Sequence, residues 1–165
     1  MMFNKRFTQI TILIVFFLGL SACATTPRNP CDEEIASLET QGVQVIQRGE
    51  TLRLILPADN FFNPETTKLY SDQADTLAIV AALTQCGCYA SLPIRVTGYA
   101  DNVGTIKKQQ KRSLQEARDI TAFLWAHGIP LHRIRVQDFG ARGSIASNET
   151  PVGSYYNRRV EINLP

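Results

Sequence analysis

The chain has 165 residues, 44% of them hydrophobic, with 17 basic against 15 acidic side chains and a formal net charge of +2. That is enough for one domain with a buried core and too little for two. Nothing in so even a charge balance suggests nucleic acid, which would call for a basic stripe.

Lys5 and Arg6 precede the apolar run from Ile10 to Leu20, which is the layout of an export signal. The run is shorter than the about 20 apolar residues that a bilayer-crossing helix needs. Leu20-Ser21-Ala22-Cys23 follows directly and resembles the bacterial lipobox, in which small residues let a signal peptidase reach the bond before a diacylglyceryl cysteine. The resemblance implies removal of residues 1–22 and lipidation of Cys23. Each buried acyl methylene contributes about 0.8 kcal/mol, so two or three palmitate-type chains hold a protein durably on a membrane. Ala24 stands where enterobacterial lipoproteins retained in the inner membrane carry aspartate, which points to the outer membrane with the domain facing the periplasm. Cleavage removes Lys5 and Arg6, and 17 less 2 leaves 15 basic against 15 acidic residues.

Residues 23–41 read as the lipidated amino terminus and a spacer, with Thr25 to Pro30 polar and proline-bearing. Residues 42–165 read as the folded domain. Cys31, Cys86 and Cys88 lie in a compartment that permits disulfides, and their odd number leaves one unpaired. Cys86-Gly87-Cys88 is one residue short of a Cys-x-x-Cys redox or metal pattern. A structural bond from Cys31 to one of the two is expected.

Val43 and Val45, then Leu52, Leu54 and Leu56, alternate with polar residues around Arg48-Gly49-Glu50, the pattern of two strands joined by a tight turn. Pro57 ends the second strand. From about Pro64 to Gln85, Leu69, Leu77, Val80, Ala81 and Leu83 fall largely on one helical face. Ile94 to Gly98 is a short strand, and Asp101-Asn102-Val103-Gly104 a turn. A second helix is expected from about Ile106 to His127, closed by Gly128 in the left-handed conformation. Ile134, Val136 and Phe139 suggest a further strand, and Arg159 to Leu164 the last, after a long loop. Reduced to the order β-β-α-β-α-β, the chain predicts a two-layer α/β sandwich.

Thr97-Gly98-Tyr99-Ala100-Asp101-Asn102-Val103-Gly104, Gly128-Ile129 with Arg133-Ile134, Asn148-Glu149-Thr150 with Gly153, and Asn157-Arg158-Arg159-Val160-Glu161-Ile162 together resemble the OmpA-like carboxy-terminal domain. Leu56-Pro57-Ala58-Asp59 with Phe61-Phe62 also matches. The resemblance covers roughly residues 42 to 164. It implies an α/β fold with a mixed four-stranded sheet, and peptidoglycan as the usual ligand of a non-catalytic module.

In that family an aspartate in the turn and an arginine 15 residues later hold the amino and carboxylate groups of diaminopimelate. A zwitterionic end group calls for one acceptor and one bidentate donor. Asp101 occupies the first position, either to bind an amine or to cap the turn. Glu116 occupies the second. There it puts a negative charge where the ligand carboxylate would sit. Arg118 is about 200° round the helix and faces away, whereas Arg112 is placed for an exposed i, i+4 pair with Glu116. Gln109 and Tyr99 stand where the family usually has asparagine and histidine. Of Arg158 and Arg159, the resemblance places one beside the cleft and the other in support of the last strand.

A paired-carboxylate metal or acid/base site at Asp101 and Glu116 would need a further ligand that the sequence does not offer. His127 and His132 lack metal-ligand spacing, and no nucleophile elbow or phosphate loop occurs. No catalytic residue, metal or cofactor is expected. Phe123, Leu124 and Trp125 cannot all face the core, so one is free to meet a partner. The short spacer and altered site resemble the OmpA-like lipoproteins of Dot/Icm type IVB secretion core complexes. This implies a lipid anchor in the outer membrane and protein partners in an envelope assembly. The alternative is a peptidoglycan-binding lipoprotein that ties the outer membrane to the wall through Asp101 with Arg112 or Arg158.

Overall fold

The computed structural model describes residues 30–165. The export signal and Cys23 lie outside the described residues. The domain opens with α1 (Asp32–Thr40) and the hairpin β1 (Gln44–Arg48) and β2 (Thr51–Pro57), followed by the single turn α2 (Ala58–Phe61). Helix α3 (Ala74–Leu83), β3 (Ile94–Tyr99), α4 (Ile106–Ala126), β4 (Ile134–Gly140), α5 (Pro151–Asn157) and β5 (Arg159–Leu164) complete it.

The strands form one mixed sheet in the order β1-β2-β5-β3-β4. Only β3 and β4 run parallel; the other neighbours are antiparallel. The sheet therefore has five strands where four were expected. All five segments alternate legibly in the sequence, and the reduced order omitted one of them. The last strand enters the middle of the sheet and pairs with both β2 and β3. This brings Arg158, immediately before it, to the end where β3 delivers Asp101.

Alternation decides which face is buried. Leu52, Leu54 and Leu56, Val96, Val160, Ile162 and Leu164 join Leu77, Val80 and Leu83 of α3 and Ala117, Ile120 and Leu124 of α4 in one core. Each fully buried aliphatic side chain contributes about 1.5 to 3 kcal/mol. Gly98 lets α4 lie directly on β3, since a Cβ there would come 1.9 Å from the Ser113 carbonyl oxygen. Gly128, at φ +91°, closes α4.

Three local expectations are corrected. Within residues 23–41, expected as a spacer, Asp32 to Thr40 form α1 with Leu38 buried in the core. Its first turn carries Asp32, Glu33 and Glu34, which suit the positive end of a helix dipole. The helix expected from Pro64 begins only at Ala74. Before it, the Asn63 carboxamide oxygen accepts from the backbone N–H groups of Glu65 and Thr66, and Thr67 takes φ 57°, so the segment is a loop. The loop expected before the last strand contains α5, capped by Thr150 Oγ1, which accepts from Gly153 N–H at 3.0 Å, with Pro151 in its first turn.

Cys31 and Cys86 form a disulfide that closes 55 residues of chain, fastening α1 beside the end of α3, and Cys88 is free and exposed. At the same end, Gln85 Nε2 donates to the His127 carbonyl beyond α4. The Asp101 turn, before α4, is at the opposite end.

Candidate functional site

Asp101 leaves the end of β3 buried and already doubly engaged. Its Oδ1 accepts from Val103 N–H at 3.1 Å, which turns the chain toward α4, and Thr105 Oγ1 then caps that helix by accepting from Lys108 N–H at 3.3 Å. Its Oδ2 accepts from Arg158 Nη1 at 2.5 Å. The same guanidinium meets Asp59 in a two-pronged pair, Nε to Oδ1 at 2.8 Å and Nη2 to Oδ2 at 2.5 Å. Hydrogen bonding to Asp59, and then to Asp101, holds Arg158 well above its ordinary pKa against the effect of burial.

Glu116 lies on α4 with 1% of its surface exposed. Arg112 Nε donates to its Oε1 at 2.9 Å. The pair expected at an exposed site is therefore a buried carboxylate under a partly buried arginine, and Glu116 does not project into solvent. Burial raises the Glu116 pKa, opposed by the hydrogen bond and charge of Arg112; Asp59 raises it further, and Arg158 lowers it. Glu116 thus belongs to the same electrostatic cluster as Asp59 and Arg158. With Asp59, Asp101 and Glu116 against Arg112 and Arg158, the formal charges sum to −1.

The two consecutive arginines diverge. Arg158 enters this cluster, whereas Arg159 is buried on the other face of the sheet. There its guanidinium lies 3.8 Å from the Tyr99 ring centroid, donates to Glu161 at 2.7 Å and reaches the carbonyls of Asn157 and Gly143. Asn157 pins the preceding loop, accepting from the N–H groups of Ile145 and Ala146 and donating to the Ala146 carbonyl. Gln109 Nε2 donates to the Gly104 carbonyl, so it braces the turn.

Arg112 turns to Glu116 rather than Asp101. With Glu65, Lys68, Lys108, Lys111 and Asp119 it lines a cleft of about 580 Å³ between residues 65–68 and α4. Of the three large residues near the end of α4, Leu124 is buried, Phe123 stacks on His127, and Trp125 is 59% exposed. Among the described residues no cluster of three or more His, Cys, Asp or Glu side chains is arranged to hold a metal.

Asp59 was missed as a site residue. Its position in Leu56-Pro57-Ala58-Asp59 was the available signal, because Pro57 ends β2 at the register of Arg159, next to Arg158.

A profile of the OmpA family matches residues 61–158. The outer-membrane lipoprotein YfiB of Pseudomonas aeruginosa is 30% identical over 155 residues, covering 93% of this chain and 90% of that protein. The probable lipoprotein YiaD of Escherichia coli K12 is 34% identical over 123 residues, covering 74% of this chain but 55% of YiaD's length. Among solved structures, the cell wall anchor of the T6SS from Pseudomonas aeruginosa shares the fold with a TM-score of 0.71 at 21% identity, over 83% of this chain and 98% of that one.

Proposed function

The chain belongs to the OmpA family, and from that premise we propose that it is a non-catalytic structural subunit of an envelope assembly, of the kind found in a type IVB secretion core complex. The observation that carries this reading is the closure of Asp101 by the chain's own Arg158. The family ligand is peptidoglycan, whose zwitterionic diaminopimelate needs a free acceptor and a free donor. Here the acceptor is taken, and Glu116 with its Arg112 partner fills the position of the donor. The T6SS wall anchor supports the wider idea that this fold serves as a part of secretion machinery.

A second reading rests on a different observation. The side chains of Asp101 and Arg158 keep 11% and 20% of their surface exposed, so a ligand amine can approach the pair and displace the guanidinium. In that case the protein ties the outer membrane to the wall.

Cross-linking of the full chain in intact envelopes, followed by identification of the attached proteins, tests the first reading. A ladder of specific envelope-protein adducts that persists after the wall is digested supports it. Recovery of the chain only with wall fragments sinks it.

A further inference from the structure

We infer that the sheet face turned away from the helices is a docking surface for an acidic segment of a partner protein. The inference rests on the assembly reading above and says where on the domain the partner binds.

The register carries it. Arg53 on β2 pairs with Asn163 on β5, Asn163 with Arg95 on β3, and Arg95 with Arg135 on β4. Residues directly paired across strands share a face. Val96 and Leu54 alternate into the core, so this row points away from it. Neighbouring strands lie about 4.8 Å apart, and the three arginines therefore span about 14 Å in a straight line. Arg95 and Arg135 are exposed and stand side by side, a repulsive arrangement of like charges. Neither takes part in an ion pair or side-chain hydrogen bond among the described residues.

The one carboxylate in the adjoining row, Glu161, is already shared between Arg53 and Arg159. It leaves the face positive. Arg53 also retains a buried Nε with no acceptor. Among the described residues nothing thus pairs with Arg95 or Arg135, while the carboxylates of an acidic partner segment would.

The residue types favour a protein over other polyanions. Arginine presents a fork that matches a carboxylate in two prongs, and arginine and aromatic residues are enriched at protein interfaces where lysine is depleted. Phe139, 39% exposed on the same face, stacks on Tyr99 at 5.5 Å and lies 5.8 Å from the Arg142 guanidinium, an apolar anchor beside the charged row. The four described lysines, Lys68, Lys107, Lys108 and Lys111, all belong to α4 and the loop beside it, not to this face. A lipid surface would use either cation and needs no register.

The test uses the full chain in neutral detergent and a short fluorescein-labelled peptide alternating glutamate with serine, followed by anisotropy. The glutamate peptide is expected to bind at least about tenfold more tightly than its glutamine counterpart. The double variant Arg95→Gln and Arg135→Gln, which removes the like-charge repulsion and should melt no lower than the parent, is expected to lose that preference. Lys108→Glu with Lys111→Glu is expected to retain it. Equal binding of the two peptides, or undiminished binding by the arginine variant, overturns the inference. So does binding to phosphatidylglycerol vesicles that the peptide does not compete away. Retention on wall sacculi would count against the assembly reading alone, since it leaves the peptide titration unchanged.

Discussion

Arg158 Nη1 donates to Asp101 Oδ2 at 2.5 Å, so the carboxylate that the family resemblance assigns to a ligand amine is held by a guanidinium of the same chain. Because Arg158 also grips Asp59, one side chain joins the end of β2, the end of β3 and the start of β5. Arg158→Ala leaves two partly buried carboxylates unpaired beside Glu116. The expected loss is about 2 to 3 kcal/mol, read as a lower denaturation midpoint with unchanged slope. Asp101→Ala should cost less, since the two-pronged pair with Asp59 survives.

The buried carboxylates give pH dependences of opposite sign. Burial puts the folded pKa of Glu116 above its ordinary value of 4.5, although Arg112 works against it. A raised carboxyl destabilises the folded state once ionised, and that penalty is relieved as pH falls through the folded pKa toward the unfolded one. Burial also pushes Glu161 up, but hydrogen bonds from Arg53 and Arg159 outweigh it and leave the group lowered. Its stabilisation is present above 4.5 and is lost as pH falls through the lower folded value. Glu116→Gln should therefore melt at or above the parent at pH 7, and its advantage should shrink in acid. Glu161→Gln should melt lower at pH 7 and converge with the parent at low pH. Thermal melts across that range check both signs.

The Cys31–Cys86 bond closes 55 residues of chain. In the chain-entropy description such a loop corresponds to about 4 kcal/mol of destabilisation of the unfolded state. Cys31→Ser should lower the denaturation midpoint accordingly. Of the three described cysteines, only Cys88 should take up maleimide in the folded, unreduced chain, which mass spectrometry of digested peptides will locate.

Gly98→Ala should be among the most damaging single changes, because its Cβ would meet the Ser113 carbonyl at 1.9 Å. Backbone of α4 must retreat from the sheet, at about 3 kcal/mol or more. Gly49→Ala, at a turn with open space around it, should lose only what its φ of +60° demands, about 1 kcal/mol.

Strong alternation made the sheet legible: Leu52, Leu54 and Leu56 announced β2, and Val160, Ile162 and Leu164 the central strand. Helix α4 was equally plain, from the capping stretch before Ile106 to Gly128. What escaped was decided by local side chains rather than by period. Asn63 and the positive φ of Thr67 turned an apparently helical stretch into a loop, and Thr150-Pro151 started a short helix inside an apparent loop. That Glu116 stands where an arginine is usual was readable from the family resemblance. Its burial was not, because an acidic residue on an amphipathic helix ordinarily signals the wet face. Nor could spacing reveal that Arg158 crosses 57 positions to reach Asp101 and 99 to reach Asp59.

Co-sedimentation of the full chain with purified sacculi containing diaminopimelate tests the central claim most directly, with Glu116→Arg and Asp101→Ala run alongside. The closed site predicts that the parent remains in the supernatant, and that Asp101→Ala changes nothing. A parent protein that pellets with the sacculi, and that Asp101→Ala releases, would contradict it.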